Sequence, residues 1–344
     1  MPASEKSGKA AKTLTGAATI YDIAELAGVN PSTVSRALTT PGRISAKTEA
    51  KIRAAAKELN YVVNPFARAL PTGRTKTIAL MMADITNPVF FSVIRGAGEV
   101  ATKHGYVLVN AESQESSTDE GNILQRILPT VDAVLLVTTR LPDEDIQRIN
   151  EIKPTVLVNQ VVPGVHDVVP DFEPGTAEAI KHLKDLGHKH IAFLGGPSTS
   201  WMGKLRWKLL MKAALAEKVS IVEIGPNPPT IAGGMESLDR VLASGVTAVV
   251  AYNDLVAIGL LREAQARGIN IPEDLSIIGI DNIFGSDFTN PALTTIQLPL
   301  KQLGQDAINM LLELMDKDRE QVPLHRSELK TSLLVRNSTA KAKA

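Results

Sequence analysis

Two groups of residues in this 344-residue chain are of types that could do chemistry. The first lies in Pro31-Ser32-Thr33-Val34-Ser35-Arg36-Ala37-Leu38. Asn30 can cap a helix there, and Pro31 suits its first position, where a missing N–H costs nothing. Val34, Ala37 and Leu38 then face inward, while Ser32, Thr33 and Arg36 face outward. Ser32 and Arg36 are i, i+4 neighbours on one face. A guanidinium so placed can donate two hydrogen bonds to a guanine edge, worth about 1–3 kcal/mol of discrimination. Contact with phosphate or water is the plainer alternative. The second group consists of polar and aromatic residues at the ends of apolar runs: Asp84, Asn87 and Phe90, then Asn159, Trp201, Asn253-Asp254 and Asp281. In parallel sheets such strand ends are where ligands bind. Phe90 could stack on an apolar sugar or base face, and Trp201 sits in a polar loop. Taken singly, each Asp or Asn is as readily a cap or a turn residue; only the constellation points to a site.

Enzyme chemistry is poorly represented. Gly196 and Gly203-Lys204 are separated by six residues rather than four, and Leu205 stands where a phosphate loop needs Ser or Thr. Gly96-Ala97-Gly98 lies inside a helical pattern rather than after a strand, so it is no dinucleotide fingerprint. The histidines form no H-E-x-x-H, and no Gly-x-Ser-x-Gly elbow occurs. The absence of cysteine excludes a disulfide framework, thiol catalysis and cysteine-ligated metal. The expectation is a protein that is no enzyme and uses no cofactor or metal.

The elements that must position Arg36 are short helices. Ile20, Ile23, Ala24 and Ala27 recur at helical spacing, Thr19 can cap them and Gly28 can stop them. With the helix at 31–38 they form a helix-turn-helix. A third helix is expected at 46–59 behind Ser45, with Ile52, Ala55, Ala56 and Leu59 inward and Lys47, Lys51, Arg53 and Lys57 outward. Residues 1–17 read as a disordered arm. Residues 64–70 are too few for an independent helix and could fold only against DNA or a second copy. Residues 1–75 hold eleven Lys/Arg against five Asp/Glu, while the whole chain is neutral. A basic small segment on an acidic large one suggests a polyanion at one end.

From residue 76 apolar runs alternate with helical patterns. Strands are expected at 78–82, 106–110, 133–137 and 156–158, and again at 191–194, 221–224, 248–251 and 276–280. Helices are expected between them, at 88–104, 117–128 and 143–149, then 175–186, 204–217, 235–243 and 254–267. Such alternation means parallel sheets covered on both faces, hence an α/β body of two lobes. No apolar run reaches the roughly 18 residues of a membrane span, and no apolar stretch follows the N-terminal lysines as in a secretory signal. A cytoplasmic protein with no membrane partner is expected.

The string Thr19-Ile20-Tyr21-Asp22-Ile23-Ala24-Glu25-Leu26-Ala27-Gly28-Val29, followed by Ser32-Thr33-Val34-Ser35-Arg36-Ala37-Leu38, resembles the headpiece of the LacI/GalR family. Arg43-Ile44-Ser45 and Asn60-Tyr61-Val62-Val63-Asn64-Pro65 continue the likeness, which covers residues 19–338. The resemblance implies a homodimeric repressor on a pseudo-palindromic DNA operator. It sets Thr19, Tyr21, Pro31, Ser32, Thr33, Ser35 and Arg36 against DNA, with residues 31, 32 and 36 in the major groove. Asn64, Arg68 and Leu70 belong to the implied hinge, Leu70 as a minor-groove wedge. Pro31 can offer only apolar contact, and Pro71 can stiffen or end the hinge helix. The body resembles the periplasmic-binding-protein type I fold. Asp84-Ile85-Thr86-Asn87-Pro88-Val89-Phe90 resembles the family's D-x-x-N-P-F-F segment, with Val89 at the first aromatic place. By the same resemblance Arg206, Asn253 and Asp281 touch the effector, Asp254 caps its helix, and Asn159 stands where relatives often carry Asp.

The resemblance divides the chain into an arm (1–17), a headpiece (18–63), a hinge and linker (64–75), an effector domain (76–338) and a tail (339–344). The first lobe takes 76–165 and 296–322, the second 166–295 and 323–338, with crossings near 160–170, 290–298 and 322–326. The last strand is followed by no heptads, so a dimer is expected. Phe90, Asn159, Trp201, Arg206, Asn253 and Asp281 favour a neutral polyhydroxylated effector: a pentose, a hexose or a nucleoside. A transport-type sugar-binding protein is the alternative for the lobes, and a sugar-processing enzyme a third reading. A phosphorylated co-regulator protein docking on the first lobe also stays open.

Overall fold

The computed structural model describes residues 18–39, 43–61, 73–316, 322–326 and 329–343. The expected arm and the hinge residues Asn64, Arg68, Leu70 and Pro71 lie outside the described residues. The chain divides into two compact units, Met1–Thr75 and Lys76–Ala344.

In the smaller unit, helix α1 (Ile20–Ala27) opens on a capping box. Thr19 Oγ1 accepts from the Asp22 backbone N–H, and the Asp22 carboxylate accepts from the Thr19 N–H at 2.7 Å. Gly28 ends the helix in the left-handed region, φ +65°, where it returns its N–H to the carbonyls of Ala24 and Glu25. Helix α2 (Pro31–Thr39) follows, its first turn held by the Asn30 carbonyl. Helix α3 (Ala46–Glu58) starts on the Ser45 cap. Ile23, Ala24, Val34, Ala37, Ile52 and Ala55 form the core these helices share. Six mostly small side chains make a thin core, so local caps carry a large share of its definition.

The larger unit holds two six-stranded sheets. The first contains β1 (Thr77–Met82), β2 (Val107–Glu112), β3 (Ala133–Val137), β4 (Thr155–Val158), β5 (His166–Val168) and β11 (His325–Arg326), in the order β2-β1-β3-β4-β5-β11. The second contains β6 (His190–Leu194), β7 (Ser220–Ile224), β8 (Ala248–Ala251), β9 (Ser276–Asp281), β10 (Thr294–Gln297) and β12 (Ser332–Leu334), in the order β7-β6-β8-β9-β10-β12. Every pairing is parallel except β10 with β12. The central strands are buried on both faces, in keeping with their runs rich in Ile, Val, Leu and Ala. Helices α4 (Val89–Lys103), α5 (Ser117–Ile127) and α6 (Asp143–Ile152) follow the first three strands. Helices α7 (Glu173–Asp185), α8 (Trp201–Glu217), α9 (Ile231–Glu236), α10 (Leu238–Ala243) and α11 (Asp254–Ala266) serve the second sheet, and α12 (Leu300–Asp316) returns to pack on α4.

The lobe boundaries fall a few residues later than expected. Strand β5 belongs to the first sheet, so the first crossing follows Val168 rather than residue 165. Strand β10 belongs to the second sheet, moving the second crossing past Gln297. Strand β11 pairs with β5, moving the third past Arg326. Strands of two and three residues with polar members, such as His166-Asp167-Val168, have no period to read. Two crossing segments are tied together: Asp171 N–H donates to Leu329 O, and Thr331 N–H to Asp171 O.

Each lobe contains a pair of helices crossing backbone on backbone. A Cβ on Gly96 of α4 would lie 2.0 Å from Lys301 O, and one on Gly304 of α12 would lie 2.1 Å from Val93 O. In the other lobe Gly234 of α9 and Gly259 of α11 meet Val256 O and Ile231 O at 2.1 and 2.0 Å. Gly304→Ala is therefore expected to destabilise the large unit by at least about 1–3 kcal/mol in a denaturant titration. Gly98→Ala, with nothing within 4 Å of the added carbon, is expected to be neutral or to gain up to about 1 kcal/mol. Equal effects at the two positions would contradict the close crossing.

Candidate functional site

The parallel strands of both lobes deliver their carboxyl ends to one cleft. Its walls come from the segments that leave β1, β2, β3 and β4 on one side and β8 and β9, with helix α8, on the other. Backbone strain gathers here. Nine non-glycine residues among those described have positive φ, and six of them lie at these strand ends. They are Gln114, Glu115, Thr138, Asn159, Asp281 and Asn282, with Asp281 the most extreme at +115°. Such conformations cost of order 1–3 kcal/mol each and persist where the surroundings over-determine them.

Arg206, on the buried face of α8, is 5% exposed. Its Nη2 donates to Asp281 Oδ1 at 2.8 Å and its Nη1 to Tyr252 O at 2.5 Å. The guanidinium lies 5.0 Å from the Tyr252 ring centre and 5.4 Å from that of Phe172. Its Nε has no protein partner, and neither has Oδ1 of Asn159, 7% exposed on the opposite wall. A buried donor and a buried acceptor left unpaired in one cleft mark places for a ligand to fill. Tyr252 itself is fixed by a 2.9 Å hydrogen bond between its hydroxyl and Ser200 Oγ, and by Gly196, which leaves no room for a Cβ against the ring.

Asp281 is supported from behind by Asp254. The Asp254 carboxylate accepts from Ser286 Oγ at 2.5 Å, Thr295 Oγ1 at 2.6 Å and the Ile283 N–H at 2.9 Å. Burial pushes its carboxyl up to about 6 despite those donors. Burial likewise pushes the Asp281 carboxyl up to about 7, against the pull of Arg206 and with the help of Asp254.

The cleft brings together Phe90, Asn159, Arg206, Asn253 and Asp281. Trp201 is corrected: the expected loop becomes helix one turn early, because Ser200 Oγ caps it through Gly203 N–H. Trp201 thus opens α8 and packs on the apolar core, leaving Met202 to line the cleft. Trp207 packs as expected, stacked on Phe193 at 6.1 Å and 12°. Asn253, not Asp254, is the residue that caps α11, and Asp254 is buried behind the cleft. Asn253 Oδ1 caps α11 by accepting from Val256 N–H, and its Nδ2 donates to Pro229 O, so both amide atoms are occupied. Glu115, Arg140 and Tyr252 are among the lining residues that escaped the sequence reading. Each lies within three residues of the end of a parallel strand, so the strand-end rule applied to Arg140 after β3 and Tyr252 after β8 would have found them.

In the small unit Ser32, Ser35 and Arg36 are exposed on α2 and Pro31 and Thr33 half-buried, while Val34 and Ala37 are buried. Tyr21 is 69% exposed on α1. Thr19, expected at DNA, spends its hydroxyl on the capping box. The outward face of α2 thus offers a hydroxyl and a guanidinium one turn apart, the geometry a major-groove helix needs.

Removing one partner of the Arg206–Asp281 pair leaves a buried charge uncompensated, so Arg206→Met and Asp281→Asn are each expected to cost about 3–5 kcal/mol. The double variant should cost clearly less than the sum in a denaturant cycle. Between 3.8 and about 7 the folded chain keeps on Asp281 a proton that the unfolded chain has released. Stability from this group therefore falls as pH rises through that window. The parent's denaturant midpoint should drop more steeply than that of Asp281→Asn between about pH 4 and about pH 7.

Residues 19–64 match the family described as bacterial regulatory proteins, lacI family, and residues 180–339 match the periplasmic binding protein-like domain. The chain is 32% identical over 313 residues to the HTH-type transcriptional repressor CytR of Escherichia coli K12, covering 89% of this chain and 92% of that one. It is 30% identical over 336 residues to the repressor PurR of Pasteurella multocida, covering 93% and 98%. The Lac repressor dimer bound to operator and an anti-inducer superposes with a TM-score of 0.84 at 26% identity, over 94% of this chain and 100% of that chain. A LacI-family regulator of Enterococcus faecalis with bound ribose gives 0.70 at 28%, over 78% of this chain and 100% of its own. At this identity and coverage the chain belongs to the LacI family of bacterial regulatory proteins, and it is an effector-controlled DNA-binding transcriptional regulator rather than an enzyme.

Proposed function

We propose that the protein is a homodimeric cytoplasmic repressor whose grip on a pseudo-palindromic operator is set by a neutral sugar or nucleoside held between the lobes. The observation that carries this reading is the pair of unpartnered buried atoms, Arg206 Nε and Asn159 Oδ1, facing one cleft from opposite lobes. A donor on one wall and an acceptor on the other suit a ligand whose groups both accept and donate, as hydroxyls do. The carboxylate of Asp281 adds acceptors, and Phe90 an apolar wall. The ribose found in the Enterococcus relative supports the size class. The transport-protein alternative leaves the headpiece and the outward Arg36 without a use. Control of DNA binding then requires that the ligand bind the open and closed lobes unequally, by about 1–3 kcal/mol of coupling.

A thermal-shift screen of pentoses, hexoses and nucleosides tests the pocket. A hit is expected to raise the melting temperature of the parent and to lose that effect in Arg206→Ala and Asp281→Ala. A hit that stabilises these variants as strongly as the parent would place the site elsewhere. On the DNA side, Arg36→Ala is expected to weaken binding to the selected operator by about 1–3 kcal/mol while random duplex binding changes little. Equal loss on both duplexes would reduce Arg36 to a phosphate contact.

A further inference from the structure

The cleft contains a second buried arginine, and its chemistry bears on which ligands are refused. Arg140 follows β3, where Thr138 turns at φ +54°. Its side chain is 8% exposed and lines the cleft. Its Nη1 donates to Thr138 O at 3.0 Å, and its Nη2 has no protein partner among the described residues. Its Nε donates to Glu115 Oε2 at 2.6 Å. Glu115 comes from the segment after β2, in left-handed backbone at φ +63° beside Gln114 at +50°, its N–H tied to Ala83 O. Two strained segments, 25 residues apart, thus meet to lay a carboxylate on a guanidinium inside a ligand cleft. The pair joins neither strands nor helices, so fold stability alone gives it little purpose.

An arginine almost out of water with a nitrogen to spare is an anion receptor unless a carboxylate cancels it. Across the cleft Asp281 cancels Arg206 in the same way. The nearby Glu120 also attracts Arg140, but its oxygens are taken by Thr139 Oγ1 and the Arg140 backbone N–H, so it offers the side chain of Arg140 no direct hydrogen bond. Glu115, 30% exposed, is the carboxylate that a ligand would meet beside Arg140.

We infer that Glu115 is a specificity residue: by neutralising Arg140 it makes the cleft refuse phosphorylated or otherwise anionic effectors and accept their uncharged forms. The inference rests on the cleft being the effector site. Glu115→Gln keeps the shape and removes the charge, and Glu115→Asn removes the charge with a side chain one carbon shorter that tolerates left-handed backbone. Both take from Arg140 the carboxylate that it pairs with in the cleft, so the cleft becomes a phosphate site.

The test is calorimetric titration of the full chain with inorganic phosphate at fixed ionic strength, for the parent, Glu115→Gln, Glu115→Asn, Arg140→Gln and Glu115→Gln/Arg140→Gln. Saturable phosphate binding at least about tenfold tighter in whichever single variants fold than in the parent is expected, and its loss in the double variant. No gain in the folded single variants would overturn the inference, as would phosphate binding by the parent that Arg140→Gln abolishes. A parallel titration of parent and Arg206→Ala with the best neutral hit of the screen reports on the cleft separately. Neutral binding without a phosphate gain removes the role of Glu115 and leaves the cleft standing; a phosphate gain without neutral binding does the reverse.

Discussion

Bringing the Arg206 guanidinium and the Asp281 carboxylate together out of water is the constraint around which the large unit is arranged. Each ion taken from water costs several kcal/mol even after relaxation, and mutual attraction recovers that only with near-ideal geometry and further hydrogen bonds. The structure supplies both: a 2.8 Å contact, the Tyr252 carbonyl on the second Nη, and aromatic rings of Tyr252 and Phe172 beside the cation. It stops short of full satisfaction, since Nε is left without a partner. A core evolved only for stability would place hydrocarbon here. An incomplete ion pair at the carboxyl ends of parallel strands is the arrangement that carries the proposed effector site.

The surroundings explain how the pair is held. Asp281 occupies its strained backbone because Asp254, tethered by Ser286, Thr295 and the Ile283 N–H, fixes the segment behind it. Gly279 is required there, since a Cβ would lie 2.1 Å from Asp254 Oδ1. Phe172, whose ring contacts Arg206, caps α7 just beyond the first lobe crossing, next to Asp171, which binds the third crossing segment. Arg206 therefore touches a segment that crosses between the lobes, a short physical route between the proposed effector site and the lobe connections.

Much of this was legible in the sequence. The eight long strands have apolar runs or alternation with flanking turns, and every one appears within two residues of its expected place. The headpiece was readable because Thr19, Gly28 and Ser45 are chemical punctuation. The short strands β5 and β11 were not, because they pair with each other across 158 residues of chain (His325 with Asp167), which no local pattern shows. At the site, strand-end Asn159 and Asp281 were visible, but the partnership of Arg206 with Asp281 is a tertiary fact 75 residues apart. Which of Asn253 and Asp254 caps the helix was not legible, because adjacent Asx residues at a helix start have equal capping chemistry and only the position of Ser286 and Thr295, which engage Asp254, decides between them.

The central claim is that cleft occupancy and operator binding are one linked equilibrium. It is tested most directly by titrating the best neutral hit into the free protein and into its operator complex. Linkage requires that the ratio of the two effector dissociation constants equal the ratio of operator dissociation constants with and without effector. The account predicts equal ratios that differ from one by about five- to 150-fold in the parent, and a ratio of one in a folded Arg206 variant. Effector binding of the same strength to free and operator-bound parent would contradict it.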